Sequence, residues 1–228
     1  MTVAGIVNFT IRGITRTICQ VDDMELSRIP SHGPLILVGN HVNFLDAPIL
    51  LSHLQPRQVV ALVKYETWNN PALGLLFSTW KSIPIRRGEA DMNAFREALR
   101  VLKEGKMLAI APEGTRSGTG ILQQGQPGMV PLAIKSGAPI LPVAYFGAEG
   151  FWKNIRGLNR TPFTIRVGRP FRLKYDGVLP TRDERSKMTA EIMYQIAALL
   201  PPAYRGYYAN LENATQDYLE FLEGSLTL

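Results

Sequence analysis

Two stretches of the chain carry residue types that do chemistry. Asn40-His41-Val42-Asn43-Phe44-Leu45-Asp46 offers an imidazole and a carboxylate five positions apart, directly after an apolar run. Glu113-Gly114-Thr115-Arg116 follows another apolar run and offers a guanidinium in a glycine-containing turn. A base with an orienting acid can take a proton from a hydroxyl, and a fixed guanidinium can hold an anion. Together they suit the movement of an acyl group onto the hydroxyl of a phosphorylated alcohol.

The pair imposes a condition on local structure. Five residues along a continuous helix place two side chains on different faces, so His41 and Asp46 would not meet there. They meet if His41 lies in a loop and Asp46 opens the next helix. Pro48 supports this, because proline is tolerated in a first helical turn and resisted in the interior. One ring nitrogen would then donate to Asp46 and the other would be free to accept a proton. Taken alone, the spacing is also that of a chance pair with Asp46 as a plain helix cap. His32 and His53 lack comparable surroundings and read as ordinary surface or loop residues.

The elements that must position these groups are legible as apolar runs. Leu35-Ile36-Leu37-Val38, Val59 to Val63, Met107-Leu108-Ala109-Ile110 and Ile140 to Ala144 are short and bounded by Gly, Pro or polar residues. They read as buried strands of a mostly parallel sheet. Ser82-Ile83-Pro84-Ile85 is strand-like, and Thr164-Ile165-Arg166-Val167 alternates as a strand nearer an edge does. Asp91 can cap a helix through Phe95, Ala98, Leu99 and Leu102 that Gly105 stops. A second helix runs from about Arg182 to Leu200, ended by Pro201-Pro202, and residues 210–228 read as one more amphipathic helix. Strands alternating with helices predict a single α/β domain. Lys64, Arg87 and Arg116 then fall at the ends of separate strands, which converge on one rim of a parallel sheet. Arg86 reads as a solvated surface charge.

Bulk properties bound the rest. The 228 residues suit one domain with a full core, and 46% hydrophobic content reads as globular. A net charge of +6 admits an anionic partner: nucleic acid, an acidic membrane or a phosphorylated ligand. The basic residues do not line an element with interleaved stacking aromatics, which disfavours nucleic acid. The single cysteine, Cys19, excludes an internal disulfide and suits a reducing compartment. No apolar stretch reaches the roughly 20 residues needed to span a bilayer. Residues 3–19 carry Ile6, Phe9, Ile14 and Ile18 with Arg12 and Arg16 among them. That is either an interfacial helix or a terminal helix packed on its own domain, and the basic surplus tilts toward the membrane. A Gly-x-Ser-x-Gly elbow, a phosphate-binding loop and a metal-ligand cluster are all missing from the sequence.

Taken together, these residues resemble the glycerolipid acyltransferase superfamily, most closely its 1-acyl-sn-glycerol-3-phosphate acyltransferase branch. The family's first block is matched by Asn40, His41 and Asp46, its second by Ser82 to Arg87, and its third by Glu113 to Ser117. The fourth is matched by Ala138 to Val143, and Leu200-Pro201-Pro202 with Arg205-Gly206-Tyr207 resembles the family's tail. Asn43 stands where the family often has serine, and Arg86 where it usually has an acid. The resemblance implies direct transfer from acyl-CoA or acyl-acyl carrier protein to a lysophospholipid acceptor, with no other cofactor and no metal. His41 would be the base and Asp46 its holder. Lys64, Arg87, Glu113, Gly114, Thr115 and Arg116 would form the phosphate pocket. It further implies a peripheral position on the cytoplasmic face of the cell membrane, an anionic surface as partner, an attachment helix over residues 1–20 and an acyltransferase domain over 21–228.

Overall fold

The computed structural model describes residues 3–88 and 91–222. Strands β1 (Cys19–Asp22), β2 (Leu35–Gly39), β3 (Val59–Lys64), β4 (Ile83–Ile85), β5 (Met107–Ile110), β6 (Ile140–Phe146), β7 (Thr161–Val167), β8 (Phe171–Leu173) and β9 (Leu219–Phe221) form one sheet among the described residues. Its main order is β1-β7-β6-β2-β5-β3-β4, with β8 pairing β6 and β9. The run β6-β2-β5-β3-β4 is parallel throughout, whereas β7 meets β6 antiparallel.

Helices α1 (Val3–Ile18), α2 (Asp46–His53), α3 (Pro71–Thr79), α4 (Met92–Lys103), α5 (Val130–Ser136), α6 (Phe151–Arg156) and α7 (Arg182–Leu199) flank this sheet. The strands bury both faces, which is why they read as unbroken apolar runs. Ile36 and Val38 face a core built with Ala98, Leu102, Leu132, Ile192 and Ile196 of α4, α5 and α7. Leu35 and Leu37, offset by one residue, face the other core with Ile49, Leu51 and Phe77 of α2 and α3. The caps follow local chemistry. The Asp91 side chain accepts from Asn93 and Ala94 N–H, and Thr181 forms a reciprocal capping box with Glu184.

Two expectations change. The segment expected as a C-terminal helix instead forms a single 3-10 turn at Leu211–Asn213 and then β9, while residues 223–228 lie outside the described residues. The buried Glu191 carboxylate decides this by accepting from Thr215 Oγ1 and from the N–H groups of Asp217 and Tyr218. His53 is not a surface residue: its side chain is fully buried between Asp23 Oδ2 (2.7 Å) and Thr15 Oγ1 (3.0 Å). His32 is exposed as expected, beside Ser31 Oγ.

Helix α1, open to two placements in the sequence, rests on the domain and keeps an apolar row outward. Asn8 and Thr15 point inward, where Asn8 accepts from Trp80 Nε1 (2.6 Å) and Thr15 meets His53. Val3, Ile6, Phe9 and Ile14 face out. Ile11 and Ile18 are half-buried against the other core beside these hydrogen bonds, so the helix packs on its own domain while still presenting Val3, Ile6, Phe9 and Ile14 outward.

Candidate active site

The site begins where β2 ends. Asn40 Nδ2 donates to Tyr145 O (2.7 Å), and Tyr145 N–H donates back to Asn40 Oδ1 (2.8 Å), which locks the strand end to β6. The chain then leaves the sheet as a loop and re-enters regular structure at Asp46, the first residue of α2. Asp46 does not cap the helix with its side chain. It turns back, and its Oδ2 accepts from His41 Nδ1 (2.7 Å), Val42 N–H (2.7 Å) and Asn43 N–H (3.0 Å). Its Oδ1 is buried without a hydrogen-bond partner. Burial pushes the Asp46 carboxyl above its ordinary value, opposed by the His41 ring and the two N–H donors. With Nδ1–H donating to Asp46, Nε2 of His41 is the free basic position, on a side chain that is 16% exposed.

Asn43, at the position where serine was expected, ties the loop rather than idling. Its Nδ2 donates to Ala148 O (2.8 Å) and its Oδ1 accepts from Leu45 N–H (2.9 Å).

The second stretch is bonded directly onto the first. Ser117 N–H donates to His41 O (2.8 Å) and Gly118 N–H to Val42 O (3.0 Å), immediately after Arg116. Glu113 is buried, and its Oε1 accepts from His41 N–H (2.6 Å) while its Oε2 accepts from Gln123 N–H (2.8 Å). Glu113 therefore fastens the His41 loop to the segment around Gln123. Burial raises the Glu113 carboxyl, opposed by the Gln123 and His41 donors. Gly114 adopts φ 72°, the left-handed conformation that lets the chain reverse between Glu113 and Arg116.

Four neighbouring parallel strands, β2, β5, β3 and β4, carry His41, Arg116, Lys64 and Arg87 just beyond or at their carboxyl ends. Thr115, Arg116 and Arg87 are exposed. Partial burial lowers the Arg87 pKa, the positive field of Arg116 lowers it further, and Glu66 opposes both. Lys64 is already engaged with Glu66 Oε1 at 3.3 Å, so it is less available to an anion than the two arginines. Arg86 stacks over the Tyr65 ring at 5.3 Å and stays exposed. Among the described residues, no group of three or more His, Cys, Asp or Glu side chains is arranged to hold a metal ion.

Sequence reading missed the support behind the loop. Leu122 N–H donates to Tyr204 O (2.9 Å), Tyr207 N–H to Leu122 O (3.1 Å), and Gly125 N–H to Tyr208 Oη (3.1 Å). The segment after α7 thus braces residues 120–126, which include Gln123, the second partner of Glu113. The Pro-Pro and Arg-Gly-Tyr run marked this segment, but nothing local to it named its partner.

The sheet order, with a His–Asp pair and two guanidinium groups on one rim, defines an α/β protein equipped to activate a hydroxyl beside an anion. Comparison with known proteins supplies the fold and the family. The fold resembles the crystal structure of the 1-acyl-sn-glycerophosphate (LPA) acyltransferase from Thermotoga maritima, with a TM-score of 0.63 and 22% identity over 86% of this chain and 78% of that one. The sequence model of the Acyltransferase family matches residues 20–146, and the chain belongs to that family. It is 32% identical over 161 residues to a 1-acyl-sn-glycerol-3-phosphate acyltransferase of Limnanthes alba, covering 69% of this chain and 57% of that protein. It is 31% identical over 112 residues to the lyso-ornithine lipid O-acyltransferase of Pseudomonas aeruginosa, covering 49% of this chain and 42% of that protein. The chain spans about half the length of these curated relatives.

Proposed function

We propose that this protein transfers a fatty acyl group from an acyl thioester, acyl-CoA or acyl-acyl carrier protein, to the free hydroxyl of 1-acyl-sn-glycerol-3-phosphate, forming phosphatidic acid. The observation that carries this reading is the joining of base and anion clamp. His41 is held by Asp46 at 2.7 Å, and the residue after Arg116 is hydrogen-bonded to the His41 carbonyl.

His41 Nε2 takes the hydroxyl proton as the oxygen attacks the thioester carbonyl. The carbon–oxygen bond forms, a tetrahedral oxyanion results, and its collapse breaks the carbon–sulfur bond. The imidazolium then returns the proton to the departing thiolate. Asp46 stays ionised and stabilises the imidazolium, and a positioned base of this kind contributes roughly 10²–10⁴ in rate. Arg87 and Arg116 hold the acceptor phosphate by charge-assisted hydrogen bonds, with Lys64 secondary; Glu113, Gly114 and Thr115 shape that pocket. Mass-resolved assay of phosphatidic acid tests the assignment. His41→Ala should abolish transfer, and undiminished transfer by that variant removes the base.

The Pseudomonas aeruginosa relative, whose printed name is that of an enzyme acting on a lyso-ornithine lipid, favours a second reading in which the same chemistry serves another acceptor. Comparing rates with and without an acceptor phosphate separates the two. A lipid-binding protein without catalysis would instead bind vesicles, form no product, and be indifferent to His41.

The outward Val3, Ile6, Phe9 and Ile14 support peripheral attachment through residues 1–20, with 21–228 as the catalytic domain. Among the described residues no helix is long and apolar enough to cross a membrane. The unpaired, buried Cys19 suits the reducing, cytoplasmic side of the membrane.

A further inference from the structure

Helix α6 and the turn after it form a prominence of unusual composition. Residues 151–160 contain Trp152, Lys153, Arg156, Leu158 and Arg160, and no carboxylate occurs between Glu149 and Asp176. Trp152 is 62% exposed and Leu158 94% exposed. Leu158 holds φ 57°, a left-handed conformation that L side chains adopt at a cost, and at that exposure almost no packing offsets it. Lys153 and Arg156 make no ion pair among the described residues, and the nearest acid in sequence, Glu149, already accepts from Tyr204 Oη at 2.5 Å.

The prominence lies between two features that concern lipid. On one side, the Phe44 ring meets Phe151 edge-on at 5.1 Å and Trp152 at 5.6 Å, and Phe44 lies three residues after His41. On the other, Arg160 Nη2 donates to Arg16 O and Cys19 O, both at 2.7 Å, at the end of α1. The outward face of that helix carries Ile14.

The geometry points to a lipid-contact surface separate from the N-terminal helix: Trp152 and Leu158 seat in an anionic bilayer, with Lys153 and Arg156 against its phosphates. Exposed Trp152 and Leu158 interspersed along the chain with exposed Lys153 and Arg156, with no acid among them, are complementary to an anionic headgroup layer, and tryptophan belongs at that depth. The tie of Arg160 to the end of α1, whose outward face is apolar, favours a bilayer over an acidic protein partner. The contact would hold the His41 loop, through Phe44, near the interface where a lipid acceptor resides. It does not depend on which acceptor is used.

The test uses the full chain and vesicles of phosphatidylcholine with and without phosphatidylglycerol, read by co-sedimentation. Each cation at an anionic surface is worth about five-fold in partitioning, so Lys153→Glu with Arg156→Glu should lose at least about 25-fold on phosphatidylglycerol vesicles. Leu158→Gly relieves the backbone and should raise the melting temperature while weakening vesicle binding several-fold. Leu158→Asp should weaken it further, with acyl transfer to a short-chain, monomerically dispersed acceptor unchanged. Tryptophan emission should shift to the blue on vesicles, and Trp152→Phe should remove the shift. Wild-type binding by the Leu158 and charge-reversed variants overturns the proposal. So does loss of binding to an acidic carrier protein with vesicle binding intact. Absence of acyl transfer in every form would sink the proposed reaction and leave the vesicle result standing.

Discussion

Replacing Arg87 by alanine separates a ligand clamp from a structural ion pair. With no anion present, Arg87 is uncomfortable: partial burial and the charge of Arg116 both lower its pKa, and Glu66 only partly opposes them. Removing its charge should leave the empty protein as stable as before, or slightly more so. With a phosphate between the two guanidinium groups, repulsion turns into shared attraction. A hydrogen bond to a charged group contributes about 1.5–3 kcal/mol. At about 1.4 kcal/mol per factor of ten, that is roughly 10- to 100-fold in kcat/KM. Arg87 is exposed, so solvent screening favours the lower end, about ten-fold. The assay compares initial rates on 1-acyl-sn-glycerol-3-phosphate and on monoacylglycerol, alongside thermal denaturation. The loss should fall on KM, be confined to the phosphorylated acceptor, be partly rescued by Arg87→Lys, and leave the melting temperature unlowered. An equal loss on monoacylglycerol, or a melting temperature several degrees lower, would refute the clamp.

Asp46→Asn should lower kcat by about 10²–10⁴ with little change in KM, since it leaves the imidazolium unsupported and sets an amide against Val42 and Asn43 N–H. Steady-state kinetics with circular dichroism to confirm folding measures it. Burial lowers the His53 pKa below 6.5, an effect that Asp23 opposes. The unfolded chain therefore takes up that proton first. The resulting stability is fully present above about pH 6.5 and is lost as pH falls through the folded value. Denaturation at pH 7.5 and 5 should show this loss, and His53→Gln should flatten it. Gly206→Ala should destabilise by at least about 2 kcal/mol in urea denaturation, because its Cβ would lie 2.3 Å from Leu122 O at a φ of 48°.

The parallel strands were legible because burial on both faces leaves an unbroken apolar run, as in Leu35 to Val38. β1, read from Cys-Gln-Val-Asp, carries no such signal: it is an edge strand with polar positions, recognised only by its pairing with β7. The C-terminal strand was misread as a helix because its fate is set by Glu191 and β8, contacts that no local pattern encodes. His41 and Asp46 were readable because a turn and Pro48 solve their spacing locally. His53 was not, since its partners Thr15 and Asp23 come from other elements. The partner of Glu113 was equally hidden, lying 72 residues upstream.

The imidazole therefore sits on a loop that belongs to no helix or strand, fixed from the ends of β6 and β5 and by the start of α2. Asn40 and Asn43 anchor it toward β6, Glu113 and Ser117 anchor it toward β5, and Asp46 closes it on itself. The β5 anchors bracket Arg116, so any shift of that strand end carries base and clamp together. Direct backbone hydrogen bonds, Ser117 N–H to His41 O and Gly118 N–H to Val42 O, tie the two loops together. Glu113 is the residue on which this coupling turns, since a glutamine there has one oxygen for the two N–H groups, of His41 and Gln123, that face it.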